Sequence, residues 1–204
     1  MKIAVLVSGS GTNLQTLIEQ LHEDKTSGIK IAVVISDRRK AYALTRAKRA
    51  GIPTQIVRTQ DFENRIAYDA EISRQIENYS VELIVLAGFM KLFQPPLVRK
   101  YRNRIINVHP SLLPAFPGAT PVADSLAYGV KVAGVTVHFV DEDVDTGPII
   151  AQTVVPVYDT DDEESLHKRI QIEEHKLYPK VIKSYAQGKL KVEGRKVIKI
   201  TSET

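Results

Sequence analysis

The sequence has 204 residues, of which 43% are hydrophobic and 25% charged, and it carries a formal net charge of +4 and no cysteine. This composition is ordinary for a globular protein, and the lack of cysteine excludes disulfides, thiolate metal sites and cysteine nucleophiles. The N-terminal apolar run ends at a glycine loop, unlike a signal peptide, and no stretch approaches the roughly 18 apolar residues that span a bilayer. We therefore expect a cytoplasmic protein with no membrane partner.

The first half of the sequence predicts alternating strands and helices. Apolar, β-branched runs that stop at turn residues indicate buried strands, and apolar residues at helical spacing indicate amphipathic helices. Strands are predicted over residues 2–7, 29–35, 54–57, 82–87 and 104–108. Helices are predicted over residues 12–24, 38–51, 61–79 and 95–101, with Asp61 beginning the third. This alternation is typical of a parallel sheet with helices on both faces.

The second half predicts a different arrangement. A short helix follows Pro121, and strands over residues 133–140 and 148–157 are close enough in sequence to pair antiparallel. The pattern Thr160-x-x-Glu163 predicts a capping box for a long helix over residues 161–186. A hairpin is expected over residues 189–200. Its lysines fit the protection of edge strands better than nucleic-acid binding, so no nucleic-acid partner is predicted.

The predicted fold is α/β: one domain over residues 1–204, with a doubly wound, mostly parallel, Rossmann-like sheet and antiparallel strands added near the C-terminus. In such sheets, ligands bind outside the carboxyl ends of the strands, near the switch in strand order. The loops at residues 8–13, 88–93 and 107–114 follow such ends. The acidic turn at residues 141–147 is expected to return to the same edge, which is therefore the predicted position of the site.

The loop SGSGTN, residues 8–13, follows the first strand and precedes a helix. Glycines in this position allow backbone N–H groups to approach an anion at a helix N-terminus, which predicts a phosphate site. A dinucleotide site is an alternative, since Gly9 and Gly11 fit G-x-G, although Leu14 occupies the third glycine position. A tight turn with a purely structural role is the other alternative.

The stretch INVHPSLLPAFPG presents Asn107 and His109 two residues apart on a strand, where both side chains point to one side. Three prolines then stiffen the exit from this strand. Asp145 lies in the acidic loop, and a carboxylate near an imidazole stabilises the cationic ring. A cationic His109 and the Asn107 amide could stabilise an oxyanion, as acyl transfer requires. The alternatives are a structural histidine and a solvated acidic turn.

Other polar residues give weaker signals. A metal site is less favoured, because one histidine and several acids have no recognisable ligand spacing. His138 alternates with apolar residues in a strand, and His175 could face the site from the last helix. Arg65 and Arg169 could reach a phosphate, although such residues are more often solvated helix charges.

Taken together, these motifs closely resemble those of the phosphoribosylglycinamide formyltransferases, folate-dependent enzymes of purine biosynthesis. The resemblance covers nearly the whole chain, in order, through KIAVLVSGSGTNLQ, VLAGFMKLF, NVHPSLLPAFPG, GVTVHFVDEDVDTGPIIAQ and EEHKLYP. HPSLLP with DTG is shared more widely among formyl-folate enzymes, whereas SGSGTN selects this family. The resemblance implies formyl transfer from 10-formyltetrahydrofolate to the amine of glycinamide ribonucleotide, with no metal.

The resemblance also implies two halves, residues 1–100 for the phosphoribosyl substrate and residues 101–204 for folate binding and catalysis. The implied catalytic residues are Asn107, His109 and Asp145. The implied substrate-binding residues are Gly11, Thr12, Asn13, Arg65, Gln171, Ile172, Glu173 and Glu174, with Glu174 on the ribose. The implied folate-binding residues are Met90, Lys91, Leu92, Phe93, Asn107, Asp141, Glu142, Asp143, Val144 and Asp145.

The segment Ala119-Thr120-Pro121 departs from some members of the family, which carry further polar or histidine residues there, so its substrate contacts are left open. Two sister enzymes are alternatives, the hydrolase that deformylates the folate and the methionyl-tRNA formyltransferase. The resemblance implies an extra N-terminal regulatory domain for the first and a C-terminal tRNA-binding domain for the second, and we expect this chain to contain neither. A nicotinamide oxidoreductase is a rival of another class. The expected partners are two small-molecule substrates, bound by a monomer or a homodimer.

Overall fold

The computed structural model describes residues 1–200, which form two compact units. The first unit covers Met1–Ile106, and the second begins at Asn107. Strand β5 (Ile105–His109) runs from one unit into the other, so that its polar end belongs to the second unit. A single domain over the whole chain stays a prediction.

The first unit contains a parallel sheet of the predicted kind. Its complete strands are β1 (Lys2–Val7), β2 (Lys30–Ser36), β3 (Thr54–Ile56) and β4 (Leu83–Leu86). They lie in the order β3-β2-β1-β4, and each neighbouring pair is parallel. The central strand β1 is 0% exposed from Ile3 to Val7, as its continuous apolar run predicts.

Four helices belong to the first unit: α1 (Thr12–Leu17), α2 (Tyr42–Arg49), α3 (Arg65–Asn78) and α4 (Pro95–Lys100). Helix α1 continues into a π-helical turn, Ile18–His22. The predicted start of α3 at Asp61 is wrong, because residues Thr59–Asp61 form a separate 3-10 turn. The N-cap is Asn64, whose side-chain oxygen accepts the N–H of Ala67 at 2.9 Å. Asparagine is among the strongest N-cap residues, and it fixes the start of this helix.

The second unit contains the antiparallel strands. Strand β6 (Val132–Phe139) pairs antiparallel with β7 (Ile149–Pro156), as predicted. The hairpin of β8 (Leu190–Glu193) and β9 (Lys196–Lys199) is also confirmed. Strand β9 extends the sheet because it pairs in parallel with β7, which gives the order β6-β7-β9-β8.

Helices α5 (Pro121–Tyr128) and α6 (Glu163–Ala186) complete the second unit. The predicted capping box of Thr160 and Glu163 is wrong by two residues. Asp162 is the N-cap of α6: its carboxylate accepts the N–H of Ser165 at 2.8 Å, and the Asp162 N–H donates to the Ser165 hydroxyl at 3.0 Å. The reciprocal bonds satisfy two donors that the first helical turn leaves unpaired. Within residues 1–200, no helix is long and apolar enough to cross a membrane.

Candidate active site

The second unit brings the three predicted catalytic residues together and adds a fourth. Asn107 and His109 end β5, His138 lies near the end of β6, and Asp145 lies in the loop between β6 and β7. The Asp145 carboxylate has one oxygen 3.5 Å from Nδ1 of His109 and the other 3.7 Å from Nε2 of His138. Both histidines are buried, at 4% and 2% exposure. The acid therefore faces two imidazole rings.

The orientation of the His109 ring is fixed by a backbone carbonyl. Nε2 lies 2.9 Å from the carbonyl oxygen of Phe116, and because a carbonyl can only accept, Nε2 carries a proton. The other ring nitrogen, Nδ1, faces the Asp145 carboxylate. The contact between Nδ1 and the carboxylate is at an ion-pair distance and is not a hydrogen bond, so Nδ1 stays open to another partner.

His138 is arranged as a neutral ring. Its Nδ1 donates to the Phe139 carbonyl at 2.8 Å, and burial lowers its pKa below the ordinary value of 6.5, against the raising effects of that bond and of Asp145. The unprotonated Nε2 can then accept from Nδ2 of Asn107, which lies 3.3 Å away. This bond orients the Asn107 amide and leaves its second N–H available.

Asp145 is held in an unusual backbone conformation. Its φ is 56°, in the left-handed region that costs a non-glycine residue about 1–2 kcal/mol. The carboxylate accepts the N–H of Gly118 at 2.8 Å, and Gly118 itself has a φ of 100°. Strain of this kind is typical of functional residues that the surrounding structure keeps in place.

Hydrogen bonds also hold the proline-rich loop after β5. The buried hydroxyl of Thr136 donates to the Ser111 carbonyl at 2.7 Å and accepts the N–H of Leu113 at 3.0 Å. The Gln152 amide donates to the Leu113 carbonyl at 2.8 Å and to the Thr136 hydroxyl at 2.9 Å. The rigidity predicted from the prolines therefore has a second source in β6 and β7.

The acidic loop depends on a glycine for packing. A Cβ on Gly147 would lie 1.7 Å from the Phe139 carbonyl oxygen, so only glycine allows this close approach to the end of β6. Asp141 accepts a bond from the Thr146 hydroxyl at 2.6 Å. Residues 142–144 are exposed, including Val144 at 42%. These three exposed residues are among the five of this loop for which folate contacts are predicted, and Asp141 and Asp145 are half-buried.

The glycine loop of the first unit has the features of an anion site. Gly11 adopts a φ of 73°, and a Cβ there would lie 2.5 Å from the Cβ of Ala43 on α2. The backbone N–H groups of Ser10 and Gly11 have no hydrogen-bond partner among residues 1–200. Unpaired amides in a glycine-rich loop are the groups that bind phosphate oxygens.

The 88–94 segment, between β4 and α4, is anchored by side chains at four of its residues. The Ser8 hydroxyl accepts the N–H of Met90 at 2.9 Å, and buried Asp69 accepts the N–H of Gln94 at 2.6 Å. The Arg65 guanidinium donates to the Leu92 carbonyl and lies over the ring of Tyr68. The fourth contact joins Lys91 Nζ to an Asp37 carboxylate oxygen 3.9 Å away. Arg65 thus contacts the predicted folate segment.

The four predicted substrate residues on α6 point in different directions. Glu174 is buried at 6% exposure, whereas Ile172 is exposed at 54%. Gln171 is half-buried, and Glu173 pairs with Lys176 at 2.7 Å on the helix surface. Four successive helical residues cannot share one face, so Glu174 is the member best placed for a buried polar contact.

Sequence reasoning missed His138 and the Phe116 carbonyl. Thr136 and His138 are two residues apart on β6 and therefore lie on the same side of the strand. Both are polar and buried, and this pairing is the signal that could have pointed to a shared role. The carbonyl of Phe116 left no signal, because any residue supplies one. Within the described residues, no group of three or more His, Cys, Asp or Glu side chains could hold a metal ion.

The chain is similar in sequence and in structure to known proteins. A family model described as "Formyl transferase" matches residues 1–182. The chain is 41% identical to a phosphoribosylglycinamide formyltransferase of Escherichia coli (strain K12), over 94% of this chain and 90% of that one. A solved structure, glycinamide ribonucleotide transformylase 1 from Symbiobacterium toebii, has a TM-score of 0.96 and 46% identity, covering 98% of this chain and 94% of that chain.

Longer relatives contain a similar region. The chain is 45% identical, over 93% of its length, to the "Trifunctional purine biosynthetic protein adenosine-3" of Drosophila pseudoobscura pseudoobscura. It spans only 14% of the length of that relative.

Proposed function

This chain belongs to the formyl transferase family, and we propose that it transfers the formyl group of 10-formyltetrahydrofolate to the amine of N1-(5-phospho-D-ribosyl)glycinamide. The products are the formylglycinamide ribonucleotide and tetrahydrofolate, in de novo purine (IMP) biosynthesis. The observation that carries the proposal is the position of Asp145 against His109, with the Asn107 amide held by His138. The 41% identity to a phosphoribosylglycinamide formyltransferase, of which this chain covers 90%, supports the choice of substrates.

The first step is the attack of the substrate amine on the formyl carbon. A new C–N bond forms, and the carbonyl electron pair moves onto oxygen to give a tetrahedral oxyanion. The amine is itself the nucleophile, so no serine or cysteine needs to be activated, and a chain without cysteine is compatible with this chemistry. The task left to the protein is to stabilise the oxyanion and to move protons.

Asn107 and His109 supply the donors for the oxyanion. One N–H of the Asn107 amide is directed to His138, and the other, which has no partner among residues 1–200, donates to the oxyanion. In His109, Nε2 is bonded to the Phe116 carbonyl, so Nδ1 is the ring nitrogen that serves the reaction. Hydrogen bonds of this kind tighten in the transition state, where the negative charge develops.

Asp145 completes the proton balance. The attacking nitrogen must lose a proton, and the folate nitrogen must gain one before the original C–N bond breaks. The Asp145 carboxylate lies 3.5 Å from Nδ1 of His109 and stabilises the cationic form of that ring. It also assists the proton transfer through water. Its link to the Gly118 N–H keeps the carboxylate in place throughout.

The two substrates are assigned to separate sets of residues. For the phosphoribosyl substrate, unpaired loop amides support phosphate binding, and the proposed residues are Gly11, Thr12, Asn13, Arg65, Gln171, Ile172, Glu173 and Glu174. For the folate, the proposed residues are Met90, Lys91, Leu92, Phe93, Asn107, Asp141, Glu142, Asp143, Val144 and Asp145. We expect the enzyme to act in the cytoplasm, as a monomer or a homodimer.

The test of this function is the release of tetrahydrofolate from 10-formyltetrahydrofolate, measured with and without glycinamide ribonucleotide. Release that requires the amine, with an equal amount of formylated amine, is the expected result. Release without the amine would identify a hydrolase instead. No release in either mixture, from a folded protein, would contradict the proposal.

A further inference from the structure

Helix α2 braces the glycine loop from behind. The Ala43 N–H donates to the Gly9 carbonyl at 3.1 Å, and the backbone of α2 comes so close to Gly11 that no side chain fits there. The loop therefore packs directly on the first turn of this helix. The residue one turn further along α2 is Arg46.

Arg46 makes three contacts, of which two join α2 to the loop and to α1 and the third lies within α2. Its Nε donates to the Ser10 carbonyl at 3.0 Å, and its Nη1 donates to the side-chain oxygen of Gln15 at 3.1 Å. The guanidinium also lies 4.9 Å from the ring centroid of Tyr42. Two hydrogen-bond acceptors and one aromatic ring thus fix the orientation of the planar guanidinium of half-buried Arg46.

The contact with the Ser10 carbonyl sets the direction of the next amide. In a planar trans peptide, the C=O of one residue and the N–H of the following residue point in opposite directions. Because Arg46 holds the Ser10 carbonyl, the Gly11 N–H points away from α2. Ala43 has the same effect on the Ser10 N–H through the Gly9 carbonyl. Both of these amides lack a partner among residues 1–200.

We infer that Arg46 is a positioning residue for the phosphate monoester of the phosphoribosyl substrate. It orients the Gly11 N–H toward the phosphate. Its guanidinium also places a fixed positive charge on the opposite side of the Ser10–Gly11 peptide. This inference rests on the proposed function, since it takes the glycine loop as the phosphate-binding loop. It assigns to α2 a role in the recognition of the substrate, which neither the helix pattern nor the loop motif reveals.

The test compares Arg46→Gln with the native enzyme in steady-state formyl transfer. The KM for glycinamide ribonucleotide is expected to rise about tenfold, which corresponds to one lost hydrogen bond to a charged donor. The KM for the formyl-folate and kcat are expected to stay unchanged, which loss of folded enzyme or a general structural defect would not produce. Arg46→Lys keeps the charge with a single donor head and is expected to restore part of the affinity.

Arg49→Gln is the matched control. Arg49 lies one turn further along α2, is exposed, and donates to the same tyrosine, its Nη1 lying 3.4 Å from the Tyr42 hydroxyl. The substitution removes the same charge without touching the loop and should leave every constant unchanged. An equal rise of KM in this variant would assign the effect to long-range charge and overturn the inference.

A second readout does not depend on activity. Inorganic phosphate is expected to raise the melting temperature of the native protein and of Arg49→Gln, and to do so much less for Arg46→Gln and partly for Arg46→Lys. If the native enzyme transfers formyl groups while Arg46→Gln keeps its KM and its phosphate response, the inference fails and the proposed function stands. If the native enzyme forms no product but shows this pattern of phosphate response, the function fails and the role of Arg46 is supported.

Discussion

Asp145 Oδ2 lies 3.5 Å from Nδ1 of His109, although the two residues belong to different elements of the chain. The same oxygen accepts the Gly118 N–H, and Nε2 of His109 donates to the Phe116 carbonyl. The short turn 116–118 thus contacts both members of the pair through its backbone. This arrangement holds the acid and the ring relative to each other through backbone groups.

Replacing Asp145 with asparagine tests the charge of this pair. Asparagine tolerates the left-handed backbone and can still accept the Gly118 N–H, so the free energy of unfolding should change by less than about 1 kcal/mol. The kcat of formyl transfer should fall by roughly 100-fold or more, because the imidazolium loses its counter-charge in the transition state. Steady-state kinetics and urea unfolding provide the two measurements.

Asp159→Asn is the control for this substitution, since Asp159 is an exposed aspartate of the same unit and pairs with Lys131 at 2.6 Å on the surface. It should match the native enzyme in both measurements. A folded Asp145→Asn variant with native kcat would show that the carboxylate charge has no part in the reaction.

His138 should make the protein sensitive to acid. Its pKa in the folded chain lies below 6.5, chiefly because of burial, whereas the unfolded chain titrates near 6.5. As the pH falls below 6.5, the unfolded chain binds a proton that the folded chain does not, so the free energy of unfolding decreases. Above that pH the contribution of this residue is constant.

His138→Gln removes this titration and keeps an acceptor for Asn107. Urea unfolding between about pH 5 and 7.5 should therefore show a smaller loss of stability at acid pH in the variant than in the native protein. The difference between the two curves isolates His138 from the neighbouring His109, Asp145 and Asp141. Parallel curves would mean that the ring titrates alike in the folded and unfolded chains.

Elements with a continuous apolar pattern could be predicted closely from the sequence. Strand β1 has the predicted bounds, because five buried residues in succession leave only one way to place it. Helix starts were predicted less well, since several polar residues compete as N-caps. Asn64 and Asp162 are the N-caps observed, and which residue caps a helix depends on side-chain bonds that spacing alone does not reveal.

Gly11→Ala tests the packing of the glycine loop on α2. The added Cβ would meet Ala43 at 2.5 Å, and the φ of 73° disfavours any side chain. The free energy of unfolding should decrease by about 2 kcal/mol, and phosphate should no longer stabilise the protein. Gly9→Ala is the control for stability, because nothing lies within 4 Å of its Cβ position. Equal stability of the two variants would contradict the close approach of α2.

Arg65→Gln distinguishes the two roles open to this arginine. The sequence predicts a phosphate contact, whereas the guanidinium donates to the Leu92 carbonyl in the 88–94 segment. We expect the KM for the formyl-folate to rise about tenfold, with the KM for glycinamide ribonucleotide unchanged. A rise confined to the KM for glycinamide ribonucleotide would instead support the phosphate role.

The candidate site could be predicted only in part. Asn107, His109 and Asp145 stand out in the sequence because polar residues follow a buried strand or share a loop with glycine. His138 and Arg46 do not stand out, since each lies within a regular element where polar residues have many structural roles. Their partners, the Asn107 amide and the Ser10 carbonyl, are visible only once β6 and α2 are placed.

The central claim is that Asn107 and His109 stabilise the oxyanion, and it is tested most directly by the kcat of Asn107→Ala and His109→Ala. Each variant is first shown to be folded by its circular dichroism spectrum and by a cooperative urea transition. We predict that each loses roughly 100- to 1,000-fold in kcat for formyl transfer, the usual cost of one oxyanion donor. Near-native kcat in both folded variants would contradict the assignment.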